Sequence, residues 1–290
     1  MPANSRLAVR KTYKLFIDGA FARSESGRTF PFEHRGGITH VARATRKDLR
    51  DAVRAARAAL RAWRDRTAYN RGQILYRLGE IMEDRRGELI ESIARSGVAA
   101  ATAEKEVDAS VDRVVWYAGW CDKIEQWLST KNPVAGPHFN VSSPEPTGVV
   151  GIVAPQRPSL LGLVSTIVPP LCAADAVVAI ASDVNPLSAI AFAEALATSD
   201  LPAGVVNILT GERSELTPHL ARHMDVHGLD LWVEDDELEE RAADLACASV
   251  KRVRRSDPRS SAFWFGDTSM SPRWIESFME IKTVWHPAGW

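Results

Sequence analysis

Apolar positions change their spacing several times along the chain, and each change marks a predicted element. Tyr13-Lys-Leu15-Phe-Ile17 runs into Asp18-Gly19, which predicts a strand entering a tight turn, with Gly19 free to take positive φ. Between Thr45 and Trp63 the period becomes helical: Leu49, Val53, Ala56, Leu60 and Trp63 recur at steps of four and three. Arg50, Arg54, Arg57, Arg61 and Arg64 occupy much of the other side, so the helix is amphipathic. Thr45 with Asp48 offers a capping box in which the shorter acid replaces Glu. Ile74, Leu78, Ile81, Met82, Leu89 and Ile93 predict further helix over 69–94, which Gly87 is expected to divide. Glu104 to Leu128 extends the helical layer through Val107, Val111, Val114, Ala118, Cys121, Ile124 and Leu128. Trp116, Tyr117, Trp120 and Trp127 add aromatic surface to it, read as core packing with an interface as the alternative.

After Pro133, Gly136 and Pro137 the pattern changes character. Phe139-Asn-Val141 begins an extended piece, and Gly148-Val-Val-Gly-Ile-Val-Ala154 is an almost continuous apolar strand. Leu160 to Val168 predicts a helix, with Pro169 and Pro170 at its exit. A strand over 176–181, a helix over 186–197 and a strand over 205–209 follow. Thr217 and Pro218 read as the cap and first turn of a short helix reaching His223. Gly228 to Trp232 then reads as a strand, Asp236 to Cys247 as an acid-led helix, and Lys251 to Arg255 as an edge strand. Buried strands alternating with helices require crossovers, so the fold class is α/β with a parallel sheet and flanking helices. Beyond a linker at 256–261, Phe263-Trp-Phe265, Trp274, Ile275, Phe278 and Trp285 predict a small packed element followed by a strand.

Composition narrows the function classes without choosing one. The 36 basic and 37 acidic side chains cancel to a net charge of −1, which argues against a globally electrostatic nucleic-acid binder. The arginine row of 50–64 reads as a solvated face, the alternative being a phosphate or nucleic-acid track. No uncharged apolar run reaches membrane-spanning length, and the basic amino-terminal residues lack the apolar stretch of a secretory signal. Cys121, Cys172 and Cys247 are far apart and form no ligand cluster, so they read as reduced, mostly buried thiols of a cytoplasmic protein.

Four segments carry a resemblance. Phe16-Ile-Asp-Gly19, Pro146-Thr-Gly-Val-Val-Gly-Ile-Val-Ala-Pro155, Leu201-Pro-Ala-Gly-Val-Val-Asn-Ile-Leu-Thr-Gly211 and Lys282-Thr-Val-Trp-His286 occur in an order that resembles an NAD(P)-dependent aldehyde dehydrogenase. The resemblance covers most of residues 13–253 and resumes near the carboxyl terminus. It implies a Rossmann-like nucleotide-binding domain over 15–131 and 147–255, after a basic amino-terminal arm over 1–14. It also implies an oligomerisation β arm made of 132–146 and 279–290. Residues 256–278 stand as a short linker where the family inserts a large catalytic domain.

Carried across one at a time, the family's functional positions mostly fail. After the strand-ending proline the family has an aromatic and an oxyanion-stabilising asparagine; this chain has Gln156 and Arg157, a charged fork that does not replace an amide. The lysine-proline pair that contacts cofactor ribose matches Ile180 and Ala181, and Ile180 has no donor to offer. Ser182 and Asp183 retain only local similarity. The glycine-serine pair near the cofactor phosphates matches Val233 and Glu234, followed by Asp235 and Asp236, whose charge opposes phosphate. The family's glutamate falls near Ser256. None of Cys121, Cys172 and Cys247 matches the catalytic cysteine, and no neighbouring motif supplies a base.

His219, His223 and His227 share a four-residue spacing, but His227 is expected to leave the helical face, so ordinary histidines are preferred over a metal site. His34, His40, His138 and His286 have no ligand pattern around them. Gly148 and Gly151 read as close packing within a strand, and Glu234 with Glu237 as a hydrated acidic face. No catalytic, cofactor-binding or metal residue is therefore assigned, and no cofactor. The expectation is a noncatalytic subunit that forms a homo-oligomer or a hetero-oligomer with a full-length aldehyde dehydrogenase paralogue. A divergent NAD(P)-dependent dehydrogenase and a nucleotide-binding sensor are the alternatives.

Overall fold

Local hairpins come first in the chain. The computed structural model describes residues 11–34, 36–255 and 260–288, so most of the expected 1–14 arm, Ser256 and Trp290 lie outside the described residues. Strands β1 (Thr12–Tyr13), β2 (Leu15–Ile17), β3 (Ala20–Ala22), β4 (Thr29–His34) and β5 (Gly37–Ala42) precede the helices. β2 and β3 join across Asp18 and Gly19, both left-handed at φ 54° and 71°, as a two-residue hairpin requires. A Cβ on Gly19 would also lie 2.8 Å from that of Ala203. β1, β5 and β4 form a separate small sheet, which places Thr12 and Tyr13 in the body of the protein and not in an arm.

The helical layer follows: α1 (Arg46–Arg64), α2 (Ala68–Asp84), α3 (Arg86–Ala94), α4 (Ala100–Ala118) and α5 (Ile124–Leu128). α1 starts on the expected capping box, with Asp48 Oδ2 accepting the Thr45 N–H at 2.8 Å and Thr45 Oγ1 accepting from Asp48 N. Two helix breaks fall elsewhere than expected. The 69–94 stretch divides at Arg85, whose backbone leaves the helix and whose guanidinium bonds Glu88 and Glu194; Gly87 lies inside the first turn of α3. The 104–128 helix stops after Ala118, where α2 presses so closely that a Cβ on Gly72 would sit 2.9 Å from the Ala118 carbonyl. Cys121 therefore occupies a buried turn between α4 and α5.

β6 (Thr130–Asn132) and β7 (His138–Pro146) begin a second small sheet, which starts two residues before the expected boundary at 132. Strands and helices then alternate as predicted: β8 (Val149–Val153), α6 (Leu161–Cys172), β9 (Ala176–Ile180), α7 (Pro186–Thr198), β10 (Val206–Leu209), α8 (Arg213–Arg222), β11 (Gly228–Leu231), α9 (Asp236–Cys247) and β12 (Arg252–Arg255). α10 (Ser261–Trp264), a 3-10 turn at Asp267–Ser269, α11 (Arg273–Glu276) and β13 (Met279–Pro287) complete the chain.

The main sheet has the order β12-β11-β8-β9-β10-β2-β3, parallel from β12 to β10 and antiparallel beyond. β12, with three arginines, takes an edge. α1, α8 and α9 cover one face, and α2, α3, α4, α6 and α7 the other, so β8 and β9 are buried on both sides. Two helices outrun their predicted limits. α6 continues through Pro169 and Pro170 to Cys172, and α8 begins at Arg213, with Thr217 and Pro218 in its interior. All twelve α6 residues are buried, and tertiary packing overrides the proline penalty there. Thr217 caps nothing: its hydroxyl is buried without a partner. Gly148 precedes β8 instead of lying within it, at φ 129°, where a Cβ would meet the His227 ring at 2.6 Å.

β13 lies antiparallel to β7 along nine residue pairs, from Met279 opposite Pro146 to Pro287 opposite His138. β7 is the middle strand of this sheet, with β6 on its other side, and Asn132, Asn140, Ser142 and Thr283 form a hydrogen-bonded ladder across all three.

Candidate functional site at the reversal of strand order

In an open parallel sheet the binding crevice lies beyond the carboxyl ends of the strands, where the strand order reverses. Here β8 leads outward to β9 and β10, whereas β11 and β12 lie on its other side, so the reversal falls between β8 and β11. The segments leaving those two strands, 154–161 and 232–236, therefore define the candidate site.

Side chains of this chain fill it. Trp232, immediately after β11, and Leu161, at the start of α6, form one buried cluster with the fully buried Trp264. The ring centroids of Trp232 and Trp264 are 4.7 Å apart, and Trp274 stacks on Trp232 at 5.7 Å. The Arg254 guanidinium lies 4.4 Å over the Trp274 ring while holding the fully buried Asp230 through two hydrogen bonds of 2.9 and 2.6 Å. Residues 260–278, which the resemblance makes part of a linker and whose aromatics predict a small packed element, are a packed closing segment in which Ser269, Ile275 and Phe278 are also buried. Arg113 of α4 anchors it, donating to the carbonyls of Ser269 and Trp264 at 2.7 and 2.9 Å and to the hydroxyls of Ser165 and Ser269.

The positions carried over from the resemblance are accounted for locally. Gln156 and Ser182 bond each other, the Ser182 hydroxyl lying 2.9 Å from the Gln156 side-chain oxygen, and Gln156 also donates to Asp183. Arg157 is exposed. Ile180 points into the apolar core under α1 and α8, and Ala181 is buried. Val233 is buried; Glu234 is exposed. Asp235 caps α9 and accepts from the Glu237 and Leu238 N–H groups at 3.1 Å, so two of the donors that would otherwise meet a phosphate are occupied. Glu234 precedes the helix, so it shares no helical face with Glu237.

Beside β8 lies a cavity of about 90 Å³, bordered by Glu106, Gln156, Arg157, Asn185 and Phe265, against roughly 300–1,000 Å³ for usual ligand pockets. Glu106, 3% exposed, accepts the Leu160 and Leu161 N–H groups at 2.7 and 3.3 Å. Burial raises its pKa despite those bonds and the nearby Arg157 charge.

The thiols lie elsewhere. Cys172 ends α6, about 17 Å along the axis from the crevice end of that helix. It is buried beside Cys121; both thiols donate to the Tyr117 carbonyl, and burial first, then the neighbouring thiol, raises the pKa of Cys172 well above the ordinary value. Cys247, expected among mostly buried thiols, is exposed on α9. Of the three histidines, His219 and His223 border one surface groove, while His227 accepts from Val149 N at 2.9 Å at the start of β11. No group of three or more potential metal ligands occurs among the described residues.

Sequence reading missed Glu106 and Arg113. The available signal was position: both fall on the buried stripe of α4 with Ala103, Val107, Ser110, Val114 and Tyr117, where an unpaired charge would not be tolerated.

The doubly wound sheet, its helices on both faces and the separate arm define a Rossmann-like α/β protein. The chain belongs to the aldehyde dehydrogenase family, whose profile matches residues 24–233. It is 35% identical over 231 residues to cytosolic 10-formyltetrahydrofolate dehydrogenase of Xenopus tropicalis, covering 77% of this chain and 26% of that protein. It is 34% identical over 221 residues to aldehyde dehydrogenase, cytosolic 1, of Elephantulus edwardii, covering 73% and 44%. A solved putative aldehyde dehydrogenase from Burkholderia cenocepacia superposes with a TM-score of 0.79 at 29% identity, over 83% of this chain and 50% of that one. The chain spans half or less of the length of these relatives.

Proposed function

We propose that the chain is a noncatalytic aldehyde-dehydrogenase-family subunit that assembles through its arm, with a second copy or with a full-length family member. The observation that carries this reading is the arm's outer strand. Among the described residues β13 pairs with β7 on one side only, and Ile281, Val284 and Trp285 on it are 54%, 49% and 60% exposed. A nine-residue edge of this kind is a template for backbone pairing with another chain, and its exposed apolar side chains supply contact area.

The filled crevice supports the noncatalytic half of the reading. Trp232 and Trp264 pack together at the crevice, Asp235 takes donors of α9, and Cys172 lies at the far end of α6. No cofactor, nucleic acid or membrane belongs to it, and no described helix is long and apolar enough to cross a membrane. A cytoplasmic location fits the three cysteines, all free of disulfides.

Native mass spectrometry of the untagged chain, alone and in complexes drawn from its own cells, tests assembly. A complex is expected, and deleting Lys282–Trp290 should dissolve it; a folded chain that is strictly monomeric in both settings overturns the reading. A broad aldehyde panel with NAD or NADP tests the chemistry, and no reduction is expected. Reduction that copurifies with the chain and disappears on replacing one of its cysteines would make it a divergent dehydrogenase. Tight stoichiometric NAD binding without turnover would make it a nucleotide sensor.

A further inference from the structure

Away from the crevice, where the arm joins the domain, lies a cavity of about 260 Å³ bordered by Arg64, Arg66 and Arg71 and by Glu125 and Glu145. The charges are unevenly spent. Glu145 is engaged by Lys282 at 3.0 Å and Arg64 at 3.6 Å. Arg66 and Arg71 have no carboxylate within ion-pair distance among the described residues: Arg66 bonds the Asn70 side-chain oxygen at 2.8 Å, and Arg71 Nη1 bonds the Arg66 carbonyl at 2.6 Å. Arg71 Nε is buried with no partner at all. Burial pulls the Arg71 pKa down, and the thiols of Cys121 and Cys172 and the carboxylates of Glu125 and Asp175 push it back up.

A buried donor without an acceptor is costly, and in native proteins a water or an ion usually meets it where the protein does not. A guanidinium offers a planar fork of donors matched to an oxyanion. Thr67 and Ala68, the cap and first residue of the seventeen-residue α2, belong to the same wall, so the positive end of that helix adds to the field.

We propose that this cavity binds a small oxyanion of phosphate type, as the free ion or a simple monoester, between Arg66 and Arg71. Its volume falls below the roughly 300 Å³ at which ordinary ligand pockets begin, which excludes a dinucleotide. Pro144 and Pro146 of β7 and Met279 of β13 border it too, so an occupant ties the root of the arm to the domain. The site does not depend on the assembly reading: binding is measured on the chain itself, whatever its oligomeric state.

The test uses the full chain with inorganic phosphate and glycerol phosphate, by calorimetry and by thermal melting against chloride at matched ionic strength. Saturable binding at one site per chain and a rising Tm are expected. Arg71→Met should weaken binding by about tenfold or more, as loss of a charge-assisted contact does. That variant removes a half-buried charge that has no ion-pair partner among the described residues, so its Tm without phosphate should stay near the unsubstituted chain's or exceed it. If it does not fold, Arg66→Met, at an exposed position, should weaken binding without moving the phosphate-free Tm. Cys121 and Cys172 border the cavity whereas Cys247 is exposed elsewhere, so phosphate should slow thiol labelling at the first two and leave Cys247 unchanged. Tighter binding of the monoester identifies a metabolite, and equal binding the free ion. Melting shifts reproduced by chloride, or full phosphate affinity in Arg71→Met, overturn the proposal.

Discussion

Trp264 and Trp285 belong to one aromatic-rich stretch, yet the fold treats them oppositely. Trp264 is fully buried against Trp232 and held at its carbonyl by Arg113, at the reversal of strand order. Trp285 is 60% exposed on the outer strand of the arm, with the His138 ring 6.1 Å away. In a doubly wound sheet the first region is the one usually kept open for a ligand, and a free strand edge is the one usually covered. This chain inverts both habits. Hydrophobic burial closes the crevice, whereas Phe139, Val141, Ile281, Val284 and Trp285 stay exposed on the arm.

The strongest test of that contrast is Trp264→Ala. Truncating a fully buried aromatic removes its transfer energy and leaves a cavity, at about 3–5 kcal/mol. Urea unfolding should show this as a lowered midpoint with the slope kept. A cost below about 1 kcal/mol would mean that the crevice is not tightly closed, and the contrast with the arm would fail.

The sequence disclosed the regular parts of this structure and withheld the long-range ones. The α1 capping box, the alternation of strands and helices from β8 to β12 and the edge position of β12 rest on local pattern, so they were readable. The limits of α6 and α8 were not, because prolines at 169, 170 and 218 signal a stop that surrounding packing overrides. The β4–β5 hairpin carries no signal used in the sequence reading, and the break expected at Gly87 falls at Arg85, whose contact with Glu194 spans the chain. The crevice shows the same limit. Ile180 and Glu234 announced weak cofactor chemistry, but that Trp264 would pack on Trp232 depends on Arg113 reaching residues far along the chain.

Glu106 sharpens the contrast from the crevice side. Its side chain accepts the Leu160 and Leu161 N–H groups at the start of α6, and burial raises its pKa. A carboxyl whose folded pKa exceeds its unfolded one binds protons more readily when folded, so its contribution to stability falls as pH rises from the ordinary carboxylate value through the raised one. Stability measured against pH should therefore slope downward across that window, and Glu106→Gln should remove this part of the slope. The amide oxygen keeps one acceptor, so the variant's cost at neutral pH should stay near 1 kcal/mol. An unchanged slope would show that Glu106 is charged in both states and that the start of α6 is wetter than a filled crevice allows.

The smallest expected effect on folding belongs to Trp285→Ala. Its side chain is mostly in water, its strand is held by nine backbone pairings with β7, and the ladder through Ser142 and Thr283 leaves it out. Substitution at such a position changes stability by no more than about 0.5 kcal/mol. Association should respond far more, because a large aromatic near the centre of an interface carries a disproportionate share of binding. Thermal melting and native mass spectrometry on the same preparation separate the two quantities: an unmoved Tm with a weakened complex is the expected pair. A Tm lowered by several degrees would place Trp285 inside a packed unit, making the arm a closed surface like the crevice.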